Sequence, residues 1–193
     1  GAITAGHPEV EHHAGIETTT GPLGQGISTA VGTALAERIL NARFGDDLVN
    51  HYTYVIASDG DLQEGVSHEA CSLAGHLGLG RLIVLYDDNE ISIDGPTSLS
   101  FSENIPQRFE SYGWDVFSVD GHEFAEIESA LAKAKASQKP TIICCKTRIG
   151  YGLPTQEGTS TAHGAITDAK EIEGTRKNLD WPHEPFTIPD QIL

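Results

Sequence analysis

Apolar residues along the chain gather in short, β-branched runs. The runs at positions 51–58, 81–87, 114–120 and 140–147 are almost continuously apolar rather than alternating. Continuous apolar runs of this length are typical of parallel strands that are covered on both faces. They therefore predict four parallel strands in one sheet.

The stretches between these runs have the apolar period of a helix. Positions 24–44, 64–78 and 123–138 repeat apolar residues every three or four positions. Alternation of strands and helices predicts an α/β fold, a doubly wound, mainly parallel sheet with helices on both faces. In such folds ligands bind at the carboxyl ends of the strands.

Composition and charge exclude some classes of binding partner. The 193 residues include 12 Lys and Arg against 28 Asp and Glu, a net charge of −16. This charge argues against nucleic acid and anionic membranes as partners, because phosphate contacts need clustered cations. No apolar run is long enough to span a membrane, and the first residues do not resemble a secretory signal. Three cysteines without CxxC spacing predict buried thiols and a cytoplasmic location.

One stretch, "ASDGDLQEGVSHEA" at 57–70, holds four carboxylates. An EF-hand loop that starts at Asp59 would need Gly where Glu64 stands and Glu where Ala70 stands, so a calcium loop is excluded. Asp61 and Glu69 are interpreted as a solvated turn residue and a helix-face residue.

Two polar residues follow successive predicted strands. Asp59 comes directly after the run at 51–58, and Asn89 follows the next run, 30 residues later. One strand–helix–strand crossover of this length brings two strand tips together, and a carboxylate and an amide oxygen suit Mg²⁺. Alternatively, both residues cap the helices that follow them, and spacing alone leaves both interpretations open.

A collinear set of motifs resembles the transketolase family. "SDG" at 58–60 and Asn89 resemble the thiamine diphosphate motif, which usually begins GDG. The other similar segments are "GHPE" (6–9), "ETTTGPLGQG" (17–26), "SLAGHLGLGRLIVLYDDN" (72–89), "ISIDG" (91–95), "RFESYGW" (108–114) and "CKTRIGYG" (145–152). The resemblance covers essentially the whole chain.

The resemblance implies two cofactors, thiamine diphosphate and Mg²⁺, for which Ca²⁺ can substitute. The metal ligands would be the carboxylate of Asp59, the amide oxygen of Asn89 and the main-chain carbonyl of Ile91. Gly60 would donate a main-chain N–H to the diphosphate.

Further residues are assigned by the same resemblance. Gly21, Leu23 and Ile93 would line the rings of the cofactor. His7 would contact the substrate, and His163 would contact the diphosphate and the donor sugar.

Glu64 matches a family glutamate that meets a glutamate of the partner subunit in a proton-sharing network. Three positions depart from the family pattern. Ser58 replaces the first Gly of GDG, Glu90 replaces the Gly of "DDNG", and Ser160 replaces the first His of "GTHxxHGAP".

The implied reaction is transfer of a two-carbon ketol unit from a ketose phosphate to an aldose phosphate. Sugar phosphates are the expected substrates, and the expected protein partner is a second copy or a split-enzyme chain that carries the pyrimidine domain. Residues 1–180 are predicted to be the latter part of the diphosphate-binding domain, incomplete at its N-terminus, and 181–193 an extended Pro-rich arm. We expect this chain alone to be inactive. The alternatives are dihydroxyacetone synthase and a non-catalytic cofactor-binding or dimerisation subunit.

Overall fold

The computed structural model describes residues 9–11 and 13–193, and these form two compact units. The sheet unit is the part of the chain up to Asp88 together with Ser100–Thr147. The hairpin unit is Asn89–Leu99 together with Arg148–Leu193.

A four-stranded parallel sheet organises the sheet unit. Its strands are β1 (Thr53–Ser58), β2 (Leu82–Asp88), β5 (Asp115–Asp120) and β6 (Thr141–Lys146). They lie in the order β1-β2-β6-β5, and every neighbouring pair is parallel. The four predicted strands are confirmed, each within two residues of its expected bounds.

Five helices accompany this sheet: α1 (Gln25–Phe44), α2 (Asp59–Gln63), α3 (Gly65–Leu77), α4 (Ile105–Ser111) and α5 (Phe124–Ala136). α1, α3 and α5 are the predicted helices. α2 and α4 were not predicted, because five and seven residues are too few to show a helical period.

Helices cover both faces of the sheet. On one face α1, α3 and α4 pack against alternate strand residues such as Leu82, Val84 and Tyr86. On the other face α5 packs against Ile83 and Ile143. Successive side chains of a strand point to opposite faces, so β2 contributes to both clusters. The prediction of a doubly wound α/β fold is confirmed.

Strand β1 is covered less completely than β2. Val55 and Ala57 are buried in the larger cluster, whereas Tyr54 and Ile56, on the opposite face, are 49% and 81% exposed. Among the described residues β1 pairs only with β2. Within the part of the chain that the structure describes, one face and one edge of β1 are therefore uncovered.

The hairpin unit is named for β3 (Ile91–Ser92) and β4 (Gly95–Pro96), which pair antiparallel. It also contains two short 3₁₀ helices, Thr97–Leu99 and Ser160–His163, and helix α6 (Ala169–Asn178). Residues 181–193 include no helix or strand. The domain boundary near residue 180 stays a prediction.

The cysteines are free and buried, as the sequence predicted. Burial raises the pKa of the Cys71 and Cys144 thiols to about 12. In the described part of the chain, no helix has the length and apolarity needed to cross a membrane.

Candidate cofactor site

Asp59 lies at the carboxyl end of β1, as the first residue of α2. It is 3% exposed, and the Tyr86 hydroxyl donates a hydrogen bond of 2.5 Å to its Oδ1. Burial, followed by the hydrogen bond to Asp59, raises the pKa of Tyr86. Tyr86 therefore remains a protonated donor that orients the carboxylate.

The capping alternative for Asp59 and Asn89 is wrong. Ser58 is the residue that caps α2, because its side chain accepts from the Asp61 N–H and its own N–H donates to Asp61 Oδ2 at 3.0 Å. Asn89 is followed by strand β3 rather than by a helix. The hydroxyl of Ser58 also donates to Asp61 Oδ2 at 2.8 Å. This reciprocal capping box gives a structural role to a residue that departs from the family motif.

Asp61 is not a solvated turn residue. Besides its bonds to Ser58, its Oδ1 accepts a hydrogen bond of 3.0 Å from the Gly24 N–H. Gly24 belongs to the "GPLG" turn, so Asp61 joins that turn to the start of α2. The S-x-x-D spacing of a capping box was the sequence signal that could have revealed this role.

Gly60 and Leu23 lie in direct contact. A Cβ on Gly60 would stand 3.2 Å from Leu23 Cδ1, closer than side chains normally approach. Leu23 and Gly21 are both exposed on the same turn. Glycine at position 60 therefore keeps the backbone of α2 accessible beside an apolar side chain.

Glu64 stands at the junction of α2 and α3, where its side chain is exposed. Arg108 of α4 stabilises this junction. Its role was not predicted from the sequence. Its Nη2 donates to the Leu62 carbonyl at 2.9 Å, and its Nη1 donates to Glu103 Oε2 at 2.6 Å. Arg108 thus fixes the last turn of α2 from 46 residues away.

The carboxyl end of β2 is tied to β6. Thr147 donates its hydroxyl to Asp87 and its N–H, at 3.1 Å, to the Asp88 carbonyl. Lys146 Nζ lies 3.5 Å from Asp88 Oδ1. These contacts fix the strand end from which the chain continues into Asn89.

In the hairpin unit, Asn89 Oδ1 accepts a hydrogen bond of 2.9 Å from the Ile91 N–H. Glu90, between them, has a φ of 61°, in the left-handed region that favours glycine. Its carbonyl accepts from the Thr97 N–H at 2.9 Å. The family motif has Gly at this position, and the backbone conformation gives the physical reason.

Ile93 and His163 belong to the same unit as Asn89 and Ile91. Ile93 lies at the tip of the β3–β4 hairpin and is 70% exposed. His163 ends the second 3₁₀ helix, which packs against β3, and its side chain is exposed. The structure therefore places the predicted histidine beside the hairpin that carries Ile91 and Ile93.

The remaining predicted residue, His7, lies outside the described residues. The sheet unit carries Gly21, Leu23, Asp59, Gly60 and Glu64, and the hairpin unit carries Asn89, Ile91, Ile93 and His163. Within the described ranges there is no group of three or more His, Cys, Asp or Glu side chains that could hold a metal ion. The predicted ligand set needs no such group, because it combines one carboxylate, one amide and one main-chain carbonyl.

Comparison with known proteins decides the family. The whole sequence, residues 1–193, matches the family described as transketolase, thiamine diphosphate binding domain. The chain belongs to the transketolase family. The transketolase of Sinorhizobium medicae (strain WSM419) is 57% identical over 192 residues, an alignment that covers 100% of this chain and 28% of that relative.

Solved transketolase structures share the fold. The transketolase from Leishmania mexicana superimposes with a TM-score of 0.93 at 45% identity, covering 100% of this chain and 30% of that one. A Pichia stipitis transketolase in complex with sedoheptulose 7-phosphate gives a TM-score of 0.92 at 44% identity, with coverages of 100% and 29%. The chain thus spans less than a third of the length of the transketolases it matches.

Proposed function

We propose that this chain supplies the diphosphate- and magnesium-binding part of a transketolase, which moves a two-carbon ketol unit from a ketose phosphate to an aldose phosphate. The observation that carries the proposal is the turn after β1. There a buried carboxylate, Asp59, is oriented by Tyr86, and Gly60 keeps the adjacent backbone open beside Leu23. The sugar phosphate named with the Pichia stipitis transketolase supports the substrate class.

The residues fit thiamine diphosphate and Mg²⁺. Magnesium prefers oxygen ligands, and Asp59, the Asn89 amide and the Ile91 carbonyl would supply three of them. With a net charge of −16, the protein needs a divalent cation to hold a diphosphate. Gly60 would donate its N–H to the diphosphate, and the bound cofactor would supply the electron sink for carbon–carbon bond cleavage.

The other residues of the set would act on the substrate and on water. Leu23 and Ile93 would make apolar contacts that exclude water from the reacting atoms. His7 and His163 would orient sugar hydroxyls and exchange protons with them, because an imidazole ring can both donate and accept a hydrogen bond. Glu64, exposed at the α2–α3 junction, would extend this proton exchange to a partner subunit.

Association with another chain is part of the proposal. Large apolar side chains are exposed on the two neighbouring helices α1 and α3, namely Ile39, Leu40, Phe44, Leu73 and Leu77. Apolar surface of this kind favours burial in an interface. It supports a homodimer or a complex with a chain that carries the pyrimidine domain. The three free thiols support a reducing, cytoplasmic location.

Calorimetric titration with thiamine diphosphate, with and without Mg²⁺, tests the cofactor assignment. Asp59→Ala should abolish the metal-dependent part of the binding, because it removes a ligand that Mg²⁺ requires. Asp47→Ala, an exposed aspartate in the turn after α1, is the matched control and should bind like the wild type. Absence of magnesium-dependent binding in the wild type, alone and together with the rest of a transketolase, would contradict the proposal.

We also expect the purified chain to be inactive without a pyrimidine domain. The measurement is ketol transfer from xylulose 5-phosphate to ribose 5-phosphate, followed over a range of chain concentrations. Addition of the missing part of a transketolase should restore turnover. Turnover by this chain alone, at a rate comparable to that of a complete transketolase, would contradict the expectation that the active site is completed by a pyrimidine domain.

A further inference from the structure

A cavity of about 120 Å³ lies at the amino ends of the strands in the sheet unit. The proposed cofactor residues of that unit are at the other edge, because Asp59 follows the carboxyl end of β1. Strand β2 is seven residues long, so the two edges are roughly 20 Å apart. The residues that line the cavity include Arg38, Tyr52, Gly80, Arg81 and Lys135.

Three basic residues line this cavity. Arg38, Arg81 and Lys135 are three of the 12 basic residues in a chain with 28 acidic ones. None of the described residues that line the cavity is acidic. Like charges repel each other, so gathering them in one concave site is favourable when an anion occupies it.

Arg81 and Lys135 both contact Tyr52, Arg81 through its side chain and Lys135 through its main-chain carbonyl. The Arg81 guanidinium carbon lies 4.6 Å from the centre of the Tyr52 ring, in a cation–π contact. The Tyr52 hydroxyl donates to the Lys135 carbonyl at 2.9 Å. The start of β2 and the end of α5 are therefore held together, and the Arg81 guanidinium is oriented before any ligand binds.

Arg38 is partly neutralised. Its Nη2 donates to Asn41 Oδ1 at 2.5 Å, and its Nε lies 3.1 Å from Oε2 of the buried Glu37. The Nε is buried and makes no hydrogen bond among the described residues. Glu37 offsets the charge of Arg38 alone, so the residues that line the cavity keep a positive balance.

Helix dipoles explain only part of this arrangement. Lys135 lies in the last turn of α5, where a cation is favoured in any case. Arg81 lies between α3 and β2, and Arg38 lies within α1, well before its end at Phe44. Neither arginine is at a helix end, so a separate reason is needed for their convergence.

We propose that this cavity binds a phosphate group, either inorganic phosphate or the phosphate of a small phosphomonoester. The planar guanidinium fork of Arg81 suits phosphate oxygens, and Arg38 and Lys135 add positive charge. Gly80 and Gln138, which both line the cavity, pack closely, since a Cβ on Gly80 would stand 2.8 Å from the Gln138 carbonyl. This packing holds that part of the cavity wall in place. The site is distinct from the one proposed for the cofactor.

Calorimetry with inorganic phosphate and with glycerol 3-phosphate, at constant ionic strength, tests the proposal. The variant Arg81→Gln/Lys135→Gln should weaken binding by about tenfold or more for each cation removed. The control is Lys170→Gln/Lys177→Gln, which removes the same charge from exposed positions on α6 and should bind like the wild type. Tighter binding of glycerol 3-phosphate would identify an ester as the ligand, and equal binding would identify the phosphate group alone.

Arg81→Lys serves as a second variant if the double variant does not fold. It keeps the charge and loses the fork, so an intermediate loss of affinity is expected. In the folded wild type, phosphate should also raise Tm at constant ionic strength, as any ligand of the native state does. The proposal is overturned if neither probe binds saturably at millimolar concentration, or if the control pair weakens binding as much as the cavity pair.

Discussion

Ser58 and Asp61 show how a departure from a family motif is accommodated. Ser58 stands where the family motif has glycine, and the sequence alone does not explain the replacement. In the structure Ser58 and Asp61 cap each other, and Asp61 also receives the Gly24 N–H. A serine that would only crowd a diphosphate instead stabilises the turn on which Asp59 and Gly60 lie.

Asp61→Ala should lower the free energy of unfolding by about 2 kcal/mol, because it removes the capping box and the acceptor for Gly24. Urea denaturation measures the change. Asp61→Asn keeps one carbonyl acceptor and should lose about half as much. Asp47→Ala, exposed and remote, should change the free energy by less than about 0.5 kcal/mol. Equal values for Asp61→Ala and Asp47→Ala would contradict the role given to Asp61.

Glu90 carries a backbone strain that glycine would relieve. Its φ of 61° costs a non-glycine residue about 1 kcal/mol or more. Glu90→Gly should therefore be more stable than Glu90→Ala by about 1 kcal/mol, since both lack the glutamate side chain and only alanine keeps the strain. Thermal denaturation of the two variants measures the difference. An alanine variant as stable as the glycine variant would show that the backbone at position 90 relaxes.

Some residues of the candidate site could be predicted from the sequence, but the residues that orient them could not. Asp59 and Gly60 were predictable because they directly follow an apolar run. Tyr86 and Arg108 were not, because they reach Asp59 and Leu62 from 27 and 46 residues away. Contacts between residues so far apart in the sequence depend on how strands and helices pack, and no local sequence pattern predicts them.

At the scale of elements, long periodic segments were predicted and short ones were missed. The four strands and α1, α3 and α5 have continuous or periodic apolar patterns. α2 is one turn long and begins with acidic residues, so its sequence resembles a wet turn. Helix α6 was missed because it shows no apolar stripe: its only buried residue is Glu171, and its one large apolar residue, Ile172, is exposed. Such a helix depends on tertiary contacts that its sequence does not display.

Helix α2 should depend on Arg108. Arg108→Gln removes the donor to the Leu62 carbonyl and the ion pair with Glu103, and should cost about 2–3 kcal/mol of unfolding free energy. Arg108→Lys should not restore stability, because one ammonium cannot replace two guanidinium donors that point in different directions.

Chemical denaturation measures both Arg108 variants, and amide hydrogen exchange shows where the loss falls. Faster exchange should concentrate in α2 and the start of α3. Arg43→Gln, at the end of α1, is a control that removes a charge without touching this junction. A lysine variant as stable as the wild type would reduce the role of Arg108 to its charge.

For the whole molecule, the buried thiols predict a loss of stability in alkali. The pKa of Cys71 and Cys144 is raised from 9.0 to about 12 in the folded protein, so the folded state holds protons that the unfolded state releases. The stabilisation is complete below pH 9 and is lost between about pH 9 and 12. At pH 10.5 the loss should be roughly 2 kcal/mol per thiol.

Urea denaturation at pH 8 and pH 10.5 tests this expectation. The variant Cys71→Ala/Cys144→Ala should lose less stability between the two pH values than the wild type. Tyr86, whose pKa is also raised, is present in both proteins, so the difference between them comes chiefly from the thiols. The same pH dependence in both proteins would mean that these thiols ionise without opening the core.

The uncovered edge of β1 affects how the purified chain associates in solution. Within the described ranges β1 has one hydrogen-bonding partner, and its Ile56 faces solvent, so the strand is a template on which further strands can grow. The N–H and C=O groups along that edge have no preference for a strand of the same molecule over one from a neighbour. Edge-to-edge pairing of two chains along this six-residue strand is therefore a route to self-association that does not require global unfolding.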